Sequence, residues 1–327
     1  MIFGLSGHSG GLESLSQERL KRMIPQLEEM GYASMWINEE HFQKSDADRN
    51  RHGYSPLIYA AAVAAMTSRL RIGFSALLLP LHHPLRLAEE VATLDRLSDG
   101  RIEFGISRGH PGRYFEAYGV DPERRTEQFR SVLSAVLRYW QADGAAPEGE
   151  LTPCAPSPVQ QPYPPIYVAA YSDESVRWTA ENGHRLILHG IQSVSSLRRC
   201  LSVFAQSGGD RSKVPVGRFV YVGESDEQAR EDMRPVIAGL TKKLRHIRSE
   251  RFALIHDEED LEPERFYDRM AIIGGPATCR AKLAQLQGEL GIGYVNLLPS
   301  FFGLLPGEKL ERSLLRFSEA VMPGWKP

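Results

Sequence analysis

Apolar positions along the chain fall into two alternating rhythms. Short runs such as Ile2–Leu5, Ala33–Ile37, Ile102–Ile106 and Ile166–Ala169 are apolar throughout or alternate, which reads as buried strand. Between them lie longer stretches with helical spacing. In Gln17–Met30, for example, Leu20, Met23, Ile24, Leu27 and Met30 share one face, with Gly31 as C-cap. The pattern predicts further strands within Arg69–Leu79 and at Arg185–Leu188, Val216–Val222 and Tyr294–Leu298. Helices are predicted at Pro56–Thr67, Leu85–Leu97, Pro122–Trp140, Asp173–Asn182, Val194–Gln206, Asp226–Leu240, Ala277–Leu290 and Gly307–Val321. Pro84 stands near the start of one, and Asp121 is placed to cap another.

Eight strands, most followed by a helix, point to an α/β fold with a parallel sheet, and eight βα units close naturally into a (β/α)8 TIM barrel. An open doubly wound sheet is the alternative, but no G-x-G-x-x-G follows the first strand. One domain spanning 1–327 is expected, with insertions at about 142–165 and 241–270. The first is rich in Pro, Ala and Gly. The second, KKLRHIRSER followed by HDEEDLEPER, reads equally as a solvated helical excursion or as a lid.

Composition narrows the function classes. A length of 327 residues suits one barrel with insertions, and a net charge of −2 gives no footprint for nucleic acid or an anionic membrane. The longest apolar-looking run, Leu57 to Met66, is too short to span a bilayer. The N-terminus lacks the pattern of a secretory signal. Cys154, Cys200 and Cys279 form neither a CxxC nor a zinc pattern, so reduced thiols and a cytoplasmic location are expected. No metal site is expected, since neither H-E-x-x-H nor a helical i,i+4 histidine pair occurs, and no G-x-S-x-G elbow marks a hydrolase.

Barrel active sites sit at the C-terminal ends of strands. That rule selects Gly7–Gly11, Asn38–Phe42, Ser75-Ala76 with Pro80–Pro84, Ser107–His110, Ala170–Ser172 and His189-Gly190. Taken alone, Glu39 and Glu40 read as a surface pair and His41 as a satisfied histidine beside Phe42, and His82 and His83 read as loop and helix-start residues rather than ligands. Arg108 offers a rigid fork of donors for phosphate oxygens, and Gly109 beside it allows close backbone approach. Ser172 and Ser175, at the start of a helix, add hydroxyls to free N–H groups that favour phosphate, although Ser172 is also an ordinary N-cap. These groups suggest a phosphorylated ligand without naming it.

The stretch TSRLRIGFSALLLPLHHPLRLAEEVATLDRLSDGRIEFGISRG (Thr67–Gly109) strongly resembles the luciferase-like flavin monooxygenase superfamily. NEEHF (Asn38–Phe42), RYFEAYG (Arg113–Gly119), PPIYVAAYSDESVRWTAENG (Pro164–Gly183) and MAIIGGPATCRAKLAQL (Met270–Leu286) extend it over nearly the whole chain, nearest to the luciferase α-subunit branch. The resemblance implies a luciferase-like barrel that binds reduced FMN (FMNH2) and reacts it with O2. A flavin C4a-hydroperoxide then oxygenates a small organic substrate. A separate flavin reductase and a homodimer are implied, the latter through the alanine-rich second helix. It assigns Arg108 to the flavin phosphate with Ser172 and Ser175 beside it. Ser75-Ala76 becomes a bulged, often cis, pair under the flavin ring, and Ser107, Gly109, His110 and Tyr171 become cofactor neighbours. Glu40 and His41 are the catalytic candidates.

The sequence also departs from luciferase. Glu40 replaces a catalytic histidine, Ser107 a reactive cysteine, Tyr171 an acidic residue, and Gly190 a tryptophan whose loss suggests a roomier substrate site. Two other readings stay open. One is hydride transfer with the deazaflavin F420 on the same fold. The other is a non-catalytic flavin-binding homologue, which the Glu40 replacement keeps alive.

Overall fold

The structure, a computed structural model, describes residues 1–7, 11–12, 15–42, 54–141, 154–251 and 258–325. In chain order the elements are β1 (Ile2–Ser6), α1 (Gln17–Glu29), β2 (Ser34–Ile37), α2 (Pro56–Met66), β3 (Arg71–Phe74), β4 (Leu77–Leu78), α3 (Pro84–Leu97) and β5 (Ile102–Ser107). Next come α4 (Arg113–Ala117), α5 (Arg125–Gln141), β6 (Ile166–Ala169), α6 (Asp173–Glu181), β7 (Arg185–Ile187), α7 (Val194–Gln206) and β8 (Pro215–Val222). The chain ends with α8 (Asp226–Arg251), α9 (Pro263–Arg265), β9 (Ala271–Gly274), α10 (Pro276–Leu290), β10 (Tyr294–Leu298) and α11 (Gly307–Arg316). All eight expected strands are present.

Two compact units divide the chain: Met1–Trp36 with Ala169–Pro327, and Ile37–Val168. The first is built on parallel pairings of β2 with β1, β1 with β10, β10 with β8 and β8 with β9. Leu188, just past β7, bridges Val216 of β8. Every residue of β8 is buried, as expected of a parallel strand covered on both faces. Helix starts follow local chemistry. The Ser16 hydroxyl accepts from Arg19 N at 3.3 Å to open α1, and the Ser193 hydroxyl accepts from Ser196 N at 3.2 Å to open α7.

In the second unit β5 is flanked in parallel by β3 and β6, with β4 also pairing β5. Trp140 of α5 packs edge-on against Phe104 of β5 and donates its indole N–H to Ala88 O of α3 at 3.0 Å. Asp95, wholly buried on α3, accepts from Val159 N at 2.8 Å and Gln160 N at 2.9 Å, which fastens the stretch leading into β6.

Three details differ from expectation. The helix expected over 122–140 begins as a 3-10 turn, Pro122–Arg124, because Asp121 caps Glu123 N at 2.9 Å. The helix expected to stop at Leu240 continues to Arg251, since no proline or glycine interrupts the polar run. Beyond it the chain forms short helical turns and the unforeseen strand β9. The expected segments at His8–Gly10, 142–153 and 252–257 lie outside the described residues. Among the described residues no helix is long and apolar enough to cross a membrane.

Candidate active site

The register of β5 locates a bulge. Gly73 of β3 pairs with Glu103, but Leu77 of β4 pairs with Ile106, so four steps on one strand face three on the other. The extra residue falls at Ser75-Ala76, whose peptide bond is cis. Gly105 makes room for it: a Cβ there would lie 1.5 Å from Phe74 O. Ser75 N donates to Ile37 O at 2.8 Å and its hydroxyl to Asn38 Oδ1 at 3.0 Å, tying the bulge to the end of β2.

Glu39 follows directly, with its side chain only 4% exposed. The expectation of a surface carboxylate is thus corrected at this residue. Its Oε1 lies 3.0 Å from His41 Nε2, its Oε2 lies 2.9 Å from His82 Nε2, and Leu78 N donates to Oε2 at 2.6 Å. His82 is therefore more than a loop residue. Burial works against the charge on Glu39. The hydrogen bonds from His41 and His82, the charge of His82 and the Leu78 N–H outweigh it, and bring the carboxyl down from 4.5 to about 2.

An ionised carboxylate only accepts, so each histidine must carry its proton on Nε2. With Nε2 engaged, Nδ1 is the remaining nitrogen of each ring. The His41 ring lies 5.0 Å from that of Tyr118 and 5.9 Å from that of Tyr114. Burial, and then the nearby Glu39 charge, push the Tyr118 phenol up. Glu40 is exposed at the next position.

Arg108 is exposed just past β5, with Nη1 donating to the Thr126 hydroxyl at 3.0 Å. The backbone around it is shaped for close approach. Gly109 has φ +72° and donates its N–H to the Ser107 hydroxyl at 3.1 Å. The Tyr114 hydroxyl accepts from His110 N at 3.1 Å and donates to His110 O. Ser75, Ala76, Glu40, His41, Ser107, Arg108, Gly109 and His110 thus belong to one unit.

Tyr171, Ser172 and Ser175 belong to the other. There the Ser172 hydroxyl caps α6, accepting from Ser175 N at 3.3 Å, and the two serine hydroxyls bond to each other. Arg199 reaches Asp173 at 2.6 Å and Tyr171 O at 3.1 Å. Burial pushes the Tyr171 phenol up to about 12. Gly190 allows a close approach: an added Cβ would meet the Gly217 backbone at 3.1 Å and the Leu298 side chain at 2.9 Å. Among the described residues no group of three His, Cys, Asp or Glu side chains is placed to hold a metal.

Residues 1–292 match the family model described as luciferase-like monooxygenase. The chain belongs to the luciferase-like monooxygenase family. Oxidoreductases of the monooxygenase type, the class expected from the sequence, define that family. One relative, the alkanal monooxygenase alpha chain of the Kryptophanaron alfredi symbiont, is 30% identical over 68% of this chain and 65% of its own length. Several curated relatives are spanned over only about half to two thirds of their length.

Among solved structures, the oxygenating constituent of the 3,6-diketocamphane monooxygenase of Pseudomonas putida, in complex with FMN, superposes with a TM-score of 0.81. It is 22% identical, and the match covers 99% of this chain and 98% of that one. The coenzyme F420-dependent tetrahydromethanopterin reductase of Methanopyrus kandleri gives 0.73 at 17% identity, with 99% of each chain covered. The fold of this family member is accordingly the luciferase-like (β/α)8 barrel.

Proposed function

We propose that the chain is the oxygenase component of an FMN-dependent monooxygenase, supplied with reduced FMN by a separate reductase and acting with O2 on a small organic substrate. The buried Glu39 carboxylate carries the reading. Held between His41 and His82 beside the cis Ser75-Ala76 bulge, it gives the site one fixed charge and anchors two histidines through Nε2. The donor set fits the cofactor. An exposed guanidinium at Arg108 next to a left-handed Gly109 is suited to a phosphate. Ser107 and His110 flank it, the Ser75-Ala76 backbone would support the ring, and Tyr171, Ser172 and Ser175 are assigned to the same cofactor by family resemblance.

Reduced FMN, when bound, supplies the electrons that activate O2. The chain's own residues do the rest. Arg108 fixes the phosphate end. His41, its Nε2–H anchored on Glu39, offers Nδ1 to accept or return a proton, and Glu39 positions it. Glu40, exposed at the adjoining position, is the second proton-transfer candidate. The relatives support the assignment by their names: one is an oxygenating constituent solved with FMN and another an oxygenase component. A homodimer and a cytoplasmic setting belong to the same proposal. The buried, unbridged Cys154, Cys200 and Cys279 support the second.

The F420-dependent structural relative favours a second reading, hydride transfer with F420. Anaerobic titration of the protein with reduced FMN and with reduced F420 separates them. Tighter binding of reduced FMN is expected; preference for F420 would transfer the assignment to hydride transfer.

A further inference from the structure

A cavity of about 310 Å³ opens in the unit that holds α7, β8, β9 and α10. None of the residues assigned above to flavin or to proton transfer lines it. Arg218, in the middle of β8, reaches it while only 1% exposed. A buried cation is costly unless its donors are used. Arg218 uses only part of them. Nη1 donates to Gln192 O at 3.3 Å and Gly217 O at 3.1 Å, whereas Nε and Nη2 are buried without a hydrogen-bond partner. Those two N–H groups lie along one edge of the guanidinium, the fork that matches both oxygens of a carboxylate.

The rest of the lining narrows the ligand. Val194, Ile272 and Leu286 supply an apolar wall. Four basic and three acidic side chains line the cavity, leaving one positive charge over. Two of the three acids have cationic neighbours besides Arg218: Asp260, whose charge also acts on Arg218, lies 3.6 Å from Arg269, and Glu289 lies 3.2 Å from Arg198. One surplus charge suits a monoanion better than a polyphosphate, and the apolar wall suits an organic one. Burial lowers Arg218 to about 10, with the Asp260 charge opposing, so the fork is still charged at neutral pH.

We infer that this cavity is a second small-molecule site, one that takes an organic monocarboxylate on the Nε–Nη2 edge of Arg218 with its apolar body against Val194, Ile272 and Leu286. Its volume lies at the lower end of the range for small-molecule pockets, which fits a compact acid the size of benzoate.

Calorimetric titration of the full chain with benzoate tests this, with benzamide as the neutral isostere and inorganic phosphate as the apolar-free anion. Benzoate is expected to bind one to one, at least tenfold tighter than either comparator, and equally well with FMN present. Arg218→Met removes the fork, and Leu286→Trp fills the cavity from α10. Each should weaken benzoate at least tenfold and leave FMN affinity unchanged. Should Arg218→Met fail to fold, Leu286→Trp decides alone. Absence of benzoate binding, competition with FMN, or unchanged affinity in the folded variants would overturn the inference.

Discussion

Two adjacent glutamates have opposite fates. Glu39 is buried between two histidines, while Glu40 faces solvent. The sequence singled out Glu40 by resemblance and left Glu39 as half of a surface pair. Alternation ends with β2, so periodicity could not show which carboxylate turns inward. Its partner His82 is 43 residues away, a contact no local pattern reports. The cis Ser75-Ala76 pair was legible only through resemblance, although the β5 register explains where the extra residue goes.

Three outcomes follow from these residues. Arg108→Ala should weaken FMN binding by about 1.5–3 kcal/mol, the range for charged hydrogen bonds, as read by flavin titration. Unchanged affinity would move the phosphate elsewhere. His41→Gln should bind flavin normally and lose about 10²–10⁴ in turnover, the usual contribution of proton transfer. Glu40→Gln under the same assay shows whether the exposed carboxylate shares that role: full turnover would leave His41 alone.

A further outcome concerns acid stability. The Glu39 carboxyl is lowered in the fold, so its contribution is complete above about 4.5 and is lost as pH falls toward about 2. That shift corresponds to roughly 3 kcal/mol. Denaturant unfolding of Glu39→Gln should lack this part of the acid decline; an unaltered pH profile would show that Glu39 is not the carboxylate responsible.

At the scale of elements, the strands were the most legible feature. Parallel strands covered on both faces read as mainly apolar runs, as β8 does over Pro215–Val222 on either side of Gly217 and Arg218. The two-residue β4 and the four-residue β9 were not, because runs that short also fit a turn or a helix start. The helix α4 likewise lay hidden inside a motif. Helix α2 was placed within a residue, and its faces bear on the dimer. Tyr59, Ala60, Val63 and Ala64 are buried, whereas Ile58, Ala62 and Ala65 form an exposed apolar stripe, with Ile58 75% exposed. A second copy of the chain is the proposed cover. Light scattering should find a dimer, and Ile58→Asp should dissociate it at least tenfold more readily by placing a charge in an apolar contact. A monomeric parent protein would remove the proposal.

For the whole molecule, family and fold were readable because the resemblance ran in order through nearly every βα unit, and residues 1–292 match the family model. The division into two compact units was not foreseen, since no linker composition marks positions 36–37 or 168–169. The substrate depends on side chains from several loops that local patterns do not place.

In the proposed function, bound reduced FMN reacts with O2 under the protein's control. The most direct measurement mixes the anaerobic protein and reduced FMN with aerated buffer and follows absorbance against time. Oxidised flavin is expected to return only after a delay, long compared with free reduced FMN, because the protein shields the reacting flavin from water. Immediate return of the oxidised spectrum, at the rate of free reduced FMN, would contradict it.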